Sequence, residues 1–343
     1  MNFDDSESIN QIDVEKLIDH IRNLPELLVS GCSYSKLQEP INIENISRVV
    51  FTGFSKIESS IGIFKLLINT FCPLPVISIN ENHLPFWCKK PDTLVILLID
   101  QNNFKEMLNL LGSAHANKCS IITLTTNLSI ENQLRKYSVN NWIFDNHTFS
   151  RITIGFDVMV LCGLFHKLNL IPDMSNELPT TIAGLRKSIS KIDLDVTSAL
   201  NPAKRLAGQM VGRWIKIVGG DCMVPIAKRW SDQINESSKT MSYAEDIHQL
   251  INHSINGIFF PENVVQHSMV VFLKSNLNDI NIEKLVDLAK EELMCNGIGT
   301  DVYTTRGETF FSQVWNTILF GDYLAYYLSI AYECDPSKTL TII

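Results

Sequence analysis

The sequence predicts an α/β protein with two tandem doubly wound parallel-sheet domains, a helical connector and a long C-terminal helix. Three observations lead to this fold class. The 343 residues exceed the usual size of one domain. Several short runs of apolar residues lack polar alternation, which is typical of strands buried on both faces. Helix-length segments separate these runs, as parallel strands require.

In the first domain the pattern predicts four strands and two intervening helices. The predicted strands are 47–52, 75–79, 93–99 and 120–125, and the predicted helices are 58–69 and 104–117. The first strand ends at Gly53, and the fourth is continuously apolar from Ile121 to Leu124. A further apolar stretch with helical spacing covers 151–167. We place this domain at residues 45–155, after an N-terminal helical segment at 1–44.

The remaining chain predicts a helical connector and a second α/β unit. Predicted helices cover 176–199, 202–212, 282–295 and 309–332, and predicted strands cover 214–218 and 269–273. The strand at 214–218 stops at Gly219 and Gly220. We therefore assign 156–200 to the connector and 201–343 to the second domain. Two such units suggest a duplicated fold, although no clear sequence repeat links them.

Composition and charge narrow the classes of function. Apolar residues make up 45% and charged residues 19%, so the chain is able to bury a sizeable core and is not disordered. Its 29 Lys and Arg against 37 Asp and Glu give a net charge of −8. This sign argues against nucleic acid and against an anionic membrane as partners, while a local positive pocket for a small anion remains compatible with it.

Targeting, cysteine and histidine patterns are uninformative about chemistry. The acidic residues 1–7 predict neither a signal peptide nor a transit peptide. The eight cysteines are scattered without a C-x-x-C pair, which indicates buried free thiols in a cytoplasmic protein. The eight histidines show no metal-ligand spacing. We predict no metal and no cofactor.

The fold class itself points to candidate ligand loops. In doubly wound sheets, ligands bind beyond the carboxyl ends of the strands, where the strand order reverses. The loops to inspect are therefore 52–60, 99–104, 125–129 and 219–223.

Short motifs in both halves of the chain form one combined pattern. In the second half they are N-P-A-K-R at 201–205, R-W at 229–230, Q-I-N-E at 233–236 followed by Lys239, G-D-Y-L-A-Y-Y-L at 321–328 and D-P at 335–336; in the first half they are P-F-W at 85–87, P-D-T-L-V-I at 91–96 and S-R at 150–151. Together they resemble the bifunctional phosphoglucose/phosphomannose isomerases, which are sugar isomerase (SIS) domain proteins. The resemblance runs from about residue 45 to the C-terminus.

This resemblance implies two SIS domains, a homodimer with active sites near the subunit interface, and interconversion of aldose and ketose hexose 6-phosphates. Such chemistry needs donors that hold the phosphate and position the reacting carbons. An acid/base pair opens the sugar ring. A carboxylate then moves a proton between C1 and C2 through an enediol.

The resemblance also implies site residues. Glu236, in the Q-I-N-E motif, matches the family's proton-transferring carboxylate, and Arg151 matches an arginine associated with ring opening. The family's histidine position falls on Asn252, and His253 is the next residue. Either an insertion brings His253 into the site, or the histidine has been lost and His253 is an ordinary surface or interface residue.

The phosphate-binding turns depart from the family pattern. The family's first turn, G-M-G-G-S, corresponds to G-F-S-K-I at 53–57, where Gly53 remains and Ser55 and Lys56 are the available donors. In the second turn, two serines and a threonine become Ile99, Gln101 and Phe104, Asp100 adds a negative charge, and Asn103 is a remaining polar residue. The family's C-terminal lysine has no counterpart, since Lys338 lies too early.

Three functions stay open at this point. One is a divergent hexose-phosphate isomerase that uses Glu236 and a remodelled phosphate site with Gly53, Ser55, Lys56, Gln101 and Asn103. A second is a non-catalytic SIS protein kept for oligomerisation or for binding another carbohydrate-type ligand. The third is an isomerase of an unphosphorylated sugar. The sequence also predicts a homodimer, in part because the C-terminal helix carries many aromatic residues.

Overall fold

The computed structural model describes residues 3–41, 43–52, 58–81, 83–99, 103–126, 134–137, 139–144, 151–275 and 280–338. The chain divides into two compact units. We call Glu26–Asn176 the first unit, and Met1–Pro25 together with Glu177–Ile343 the second unit. The domain limits deduced above remain a prediction.

The first unit contains a five-stranded parallel sheet. Its strands are β1 (Arg48–Thr52), β2 (Val76–Ser78), β3 (Thr93–Ile99), β4 (Ser120–Thr125) and β5 (Asn140–Ile143), in the order β2-β1-β3-β4-β5. Its helices are α3 (Leu24–Leu37, which begins in the second unit), α4 (Glu58–Ile68), α5 (Phe104–Ala116) and α6 (Ile154–Lys167).

Both faces of this first sheet are covered, which explains its uninterrupted apolar strands. On one side Phe51 of β1 packs against Phe64 of α4 and Phe165 of α6, with ring centroids 4.7–6.0 Å apart. On the other side Val95 and Leu97 of β3 join a core cluster with α5. All seven residues of β3 are buried, so alternation with polar residues is impossible there.

The second unit contains a four-stranded parallel sheet. Its strands are β6 (Trp214–Gly219), β7 (Ser242–Asp246), β8 (Ser268–Lys274) and β9 (Gly299–Thr304), in the order β7-β6-β8-β9. Its helices are α1 (Ser6–Ile12), α2 (Leu17–Arg22), α7 (Leu178–Ile192), α8 (Pro202–Met210), α9 (Val224–Ser238), α10 (Ile247–Asn252), α11 (Glu262–Gln266), α12 (Ile280–Cys295) and α13 (Phe310–Ala331).

The aromatic residues of α13 belong to the core of the second unit. Trp315, Tyr323, Tyr326 and Tyr327 are completely buried, and Phe311 and Phe320 are nearly so. The homodimer that was predicted in part from these aromatic residues stays a prediction. Burial follows from position, because α13 packs against α2, α7, α8 and α9.

Two parallel sheets with flanking helices and a long C-terminal helix confirm the predicted fold class. The strand at 93–99 and the strand at 120–125 have the predicted limits, and most helices differ by a few residues at their ends. Three strands were not predicted, namely β5, β7 and β9. Each lies at the edge of its sheet and carries polar residues, so none shows a buried apolar run.

Within the described part of the chain, no helix has both the length and the apolar character needed to cross a membrane.

Candidate active site

The strand order of the first sheet reverses between β1 and β3, and this is where such sheets bind ligands. The chain leaves these two strands at Thr52 and Ile99, so the carboxyl ends of both strands lie at the reversal point. In the sequence, the turns aligned with the family's phosphate-binding turns come directly after them. Four of the proposed ligand-binding residues, Gly53, Ser55, Lys56 and Gln101, lie in 53–57 and 100–102, outside the described residues.

The described end of the second turn has become part of the core. Ile99 is completely buried in the cluster that includes Met107 and Leu110, and Phe104 packs against the same cluster. Asn103 Nδ2 donates a hydrogen bond of 3.0 Å to the carbonyl oxygen of Leu98. Two positions where the family has hydroxyl donors therefore contribute apolar packing to the first unit.

Arg151 stands shortly before helix α6 and is partly buried. In the first turn of that helix, Asp157 is 4% exposed and accepts hydrogen bonds from Thr153 Oγ1 and Ser60 Oγ, both at 3.1 Å. Ser60 lies in the first turn of α4, shortly after the segment 53–57. Sequence reasoning missed Asp157, although a lone acid in an apolar run was the available signal.

Glu236 lies in the last turn of α9, and its side chain is exposed. Lys239, in the left-handed conformation that ends the helix, directs its Nζ to the carbonyl oxygens of Glu236, Ser237 and Asp335 at 2.8–3.1 Å. A cation at these carbonyls satisfies backbone acceptors that have no partner inside the helix. The conformation of the chain around Glu236 is thus fixed by backbone contacts.

The neighbours of Glu236 in the Q-I-N-E motif have structural roles. Asn235 Nδ2 donates to the carbonyl oxygen of Ser242 at 2.7 Å, and the Ser242 amide donates to Asn235 Oδ1 at 2.9 Å. This pair joins the end of α9 to the start of β7. Gln233 and Ile234 are buried. Glu236 is the exposed carboxylate of the motif.

The N-P-A-K motif also has a structural explanation. Asn201 caps α8 by accepting from the amides of Ala203 and Lys204 at 3.0 and 3.1 Å, and Pro202 occupies the first helical position. Lys204 is 1% exposed. Its Nζ donates to the carbonyl oxygens of Leu194 and Val196 and to the Asp4 carboxylate at 2.8–3.0 Å.

The R-W motif of α9 interlocks with the G-D motif of α13. Arg229 makes a bidentate ion pair with Asp322, with nitrogen–oxygen distances of 2.9 and 3.2 Å. Trp230 Nε1 donates to the carbonyl oxygen of Thr317 at 2.9 Å. Gly321 leaves room for this indole, because a Cβ there would stand 2.2 Å from Trp230 Nε1.

Both residues considered for the family's histidine are exposed. Asn252 is the last residue of α10, and His253 follows it with non-helical dihedral angles. A one-residue shift is therefore not a simple rotation around a helix at this point. Which of the two occupies the family position stays open.

Glu236 and His253 belong to the second unit, whereas Arg151 and Asn103 belong to the first. Within the second unit, α9 connects the carboxyl end of β6 to the amino end of β7. Glu236, at the end of α9, therefore lies toward the amino-terminal edge of this sheet.

The second sheet reverses its order between β6 and β8, and Cys222 lies in the loop after β6. Burial and the nearby Asp221 raise the pKa of the Cys222 thiol to about 11, so it is not a thiolate nucleophile at neutral pH. All eight cysteines are free; three are buried and Cys295 is exposed. Among the described residues, no group of three or more His, Cys, Asp or Glu side chains is arranged to hold a metal ion.

Comparisons with known proteins agree with this architecture. Residues 199–343 match the family model of the bacterial phospho-glucose isomerase C-terminal SIS domain. The chain superposes on a glucose-6-phosphate isomerase like protein from Thermus thermophilus with a TM-score of 0.59 at 14% identity, covering 98% of this chain and 97% of that one. The C-terminal domain of glucosamine-fructose-6-phosphate aminotransferase from Francisella tularensis gives 0.67 at 11% identity, covering 93% and 96%. The fold defined by these sheets is that of the SIS-domain proteins.

Sequence comparison shows which SIS-domain proteins the chain is similar to over most of its length. The chain is 26% identical over 336 residues to a bifunctional phosphoglucose/phosphomannose isomerase from Caldicellulosiruptor bescii, covering 95% of this chain and 96% of that protein. A protein of the same name from Aquifex aeolicus is 21% identical over 269 residues, which is 78% of this chain and 79% of the relative. Over residues 199–343 the chain matches the SIS-domain family model, and over most of its length it is similar to the bifunctional phosphoglucose/phosphomannose isomerases.

Proposed function

We propose that this protein is a cytoplasmic aldose–ketose isomerase that interconverts glucose 6-phosphate or mannose 6-phosphate with fructose 6-phosphate. The observation that carries the proposal is the position of Glu236, an exposed carboxylate in the last turn of α9. Asn235, the residue before it, exchanges two hydrogen bonds with the backbone of Ser242 in β7, which fixes the chain that carries the carboxylate. A positioned carboxylate of this kind can transfer a proton. The similarity to the bifunctional phosphoglucose/phosphomannose isomerases supports this role.

In the proposed mechanism, the Glu236 carboxylate removes the proton from C2 of the open-chain aldose. The C2–H electron pair forms the C1–C2 double bond, and the π pair of the C1 carbonyl moves to O1, which gives an enediolate. The hydroxyl proton then passes from O2 to O1. The electron pair on O2 forms the C2 carbonyl while the C1–C2 π pair takes the proton back from the protonated Glu236 at C1, which gives the ketose. One group serves both steps because the two carbons are adjacent, and positioned proton transfer of this kind contributes about 10²–10⁴-fold to the rate.

Other groups have supporting roles in the proposal. Arg151 assists ring opening and balances the developing negative charge, as a positioned cation does in a site shielded from water. His253, or Asn252 if the family register holds, contributes to proton transfer at the ring oxygen. Asn103 and the polar residues of the two turns, Ser55, Lys56 and Gln101, are the candidates for contacting the phosphate.

The test compares two adjacent substitutions. Glu236→Gln is expected to lower isomerase turnover by at least about 100-fold, with a free energy of unfolding unchanged within about 0.5 kcal/mol. Asn235→Ala is the matched control, because it removes two hydrogen bonds to β7. It should destabilise the fold by about 1–2 kcal/mol and leave most activity. Turnover of fructose 6-phosphate is measured with a coupled assay that uses glucose-6-phosphate dehydrogenase. In D2O, NMR measures the uptake of deuterium at C2 of the glucose 6-phosphate that forms. A fully active Glu236→Gln variant would disprove the proposed role.

A second candidate function is a non-catalytic SIS protein that binds another small carbohydrate-type ligand. The incorporation of Ile99 and Phe104 into the core favours it, because hydroxyl donors of the second turn are absent at those positions. Thermal unfolding with added glucose 6-phosphate separates the two. A ligand present at 100 times its dissociation constant adds about 2.7 kcal/mol to the stability of the folded state. No shift at any concentration, with no turnover, would favour the second candidate.

We also propose a homodimer, as the family resemblance implies. With α13 buried, the exposed apolar side chains of the second unit are the candidate surface. Trp214, Met241, Tyr243, Phe259 and Phe260 are 38–80% exposed. Such a group of large exposed apolar residues is characteristic of an interaction surface. Analytical ultracentrifugation at micromolar concentration tests this, and a monomer would contradict it.

A further inference from the structure

A basic groove lies in the second unit, at the carboxyl end of β9. It is a cavity of about 810 Å³ between α7 and the segment that joins β9 to α13. Its polar lining comes from Lys187, Ser188 and Lys191 of α7, Arg306 and Glu308 of the connecting segment, and Ser312 and Asn316 of α13. A cavity of this size is within the range of small-molecule sites.

The charge of this basic groove is opposite to that of the whole chain. Three cations, Lys187, Lys191 and Arg306, face it with one carboxylate, Glu308, while the protein carries a net charge of −8. Lys187 and Lys191 are one helical turn apart on α7 and therefore project to the same side. In the described part of the chain, none of the three cations forms an ion pair with a carboxylate.

The segment that carries Arg306 is held in place from both sides by one buried residue. Gln313 is 1% exposed; its Oε1 accepts from Thr305 Oγ1 at 2.8 Å, and its Nε2 donates to the carbonyl oxygen of Gly307 at 3.2 Å. Gly307 has φ +146°, and a Cβ there would stand 2.3 Å from Ser312 Oγ. Both neighbours of Arg306 are thus fixed against α13, which fixes the backbone that carries this cation.

Hydrogen-bonded polar residues form the floor of the basic groove. Asn316 is 4% exposed, its Oδ1 accepts from Ser188 Oγ at 2.6 Å, and its Nδ2 donates to the carbonyl oxygen of Ser312 at 2.8 Å. Gly184 lies over this floor, and its missing side chain keeps the space open. A fixed polar floor and three converging cations are the arrangement that binds a small anion with several charges.

We propose that the basic groove is a binding site for a small polyanionic metabolite that carries two phosphate groups. Lys187 and Lys191 line the cavity from α7 and Arg306 lines it from the segment that joins β9 to α13, so two different segments each offer cations to an anionic ligand. Within the second unit, whose strands are all parallel, the groove lies at the carboxyl-terminal edge of the sheet and Glu236 lies toward the amino-terminal edge. The ligand of the groove is an effector rather than the substrate on which Glu236 acts.

Isothermal titration calorimetry of the full chain with inorganic pyrophosphate at low salt tests the proposal. We expect one site with a dissociation constant of about 10⁻⁴ M, and weaker binding as salt is added. Arg306→Gln and Lys191→Gln should each weaken binding about tenfold. Glu236→Gln should bind pyrophosphate as the parent protein does. No binding by the parent protein would overturn the proposal.

Two further variants separate this groove from general electrostatic attraction. Arg205 lines a neighbouring cavity that shares Arg306, so Arg205→Gln is the matched charge control and should leave binding unchanged. Gly184→Leu fills the groove without altering charge, and its Cβ is accommodated at 3.4 Å from Asn316 Nδ2. It should weaken binding at least about tenfold. Equal loss in Arg205→Gln, or full binding in a folded Gly184→Leu variant, would overturn the proposal. Because the titration does not require turnover, failure of the isomerase proposal would be seen separately.

Discussion

The two units differ in where they resemble the sugar isomerases. In the second unit, the residues that carry the resemblance contact one another. In the first unit, the positions that depart from the isomerase motifs follow the ends of β1 and β3 in the sequence. Arg229, Trp230, Gly321 and Asp322 form one interlocked contact between α9 and α13. Ile99 has instead joined the core of the first unit.

Most of the motif residues that carry the resemblance have packing roles in the second unit. Their presence therefore indicates a similar fold of that unit and does not by itself indicate a similar activity. The proposed chemistry rests on Glu236, which is exposed in the last turn of α9. The following predictions test that division, beginning with the largest expected effect.

Breaking the buried ion pair between α9 and α13 should be the most damaging change. Asp322→Ala leaves the Arg229 guanidinium buried without its bidentate partner and should lower the free energy of unfolding by about 3–5 kcal/mol. Asp232→Ala on the same α9 is the control, because the side chains of Lys228 and Asp232 in that ion pair are 50% and 32% exposed, against 2% and 11% for Arg229 and Asp322. It should cost no more than about 1 kcal/mol. Urea denaturation of both variants gives the comparison, and equal stabilities would refute the proposed importance of the contact.

A glycine-to-alanine pair compares the two units directly. Gly321→Ala places a Cβ 2.2 Å from Trp230 Nε1, and Trp230 is completely buried, so we expect a loss of about 1–3 kcal/mol. Gly112→Ala in α5 of the first unit meets nothing closer than Tyr137 Oη at 3.9 Å. It should stabilise by about 0.5–1 kcal/mol through helix propensity. Thermal unfolding measures both, and the opposite signs are the critical result.

Restoring phosphate affinity in the second turn should give the smallest effect. Replacing Ile99 by serine would remove a buried apolar side chain from the core, and Phe104 packs against the same core. The variant therefore leaves both residues unchanged. Asp100→Asn with Gln101→Ser removes a negative charge and adds a hydroxyl donor. We expect a gain in glucose 6-phosphate affinity of no more than about tenfold, measured by calorimetry. Millimolar or tighter binding by the unaltered chain would show that other groups hold the phosphate.

Prediction from sequence succeeded where burial shapes the pattern. The strand at 93–99 is buried along its whole length, so its apolar run was unambiguous. The strands β5, β7 and β9 were missed because each is an edge strand with polar residues, such as Ser242 and Glu245 in β7. An edge strand is defined by backbone hydrogen bonds to one neighbouring strand. These bonds do not require a particular pattern of side chains, so the sequence does not reveal them.

Sequence patterns were sufficient for the α/β class and for the resemblance to the bifunctional isomerases, which implied Glu236 as the candidate carboxylate. The folded structure was needed to show that Asn201, Lys204, Arg229 and Asn235 serve packing, since each has partners far away in the chain or on the backbone. It was also needed to show that the aromatic residues of α13 are core and that Lys187, Lys191 and Arg306 surround one groove. The local sequence pattern predicts which helix or strand a residue belongs to. It does not predict contacts between segments that are distant in the chain, because those contacts form only when the chain folds.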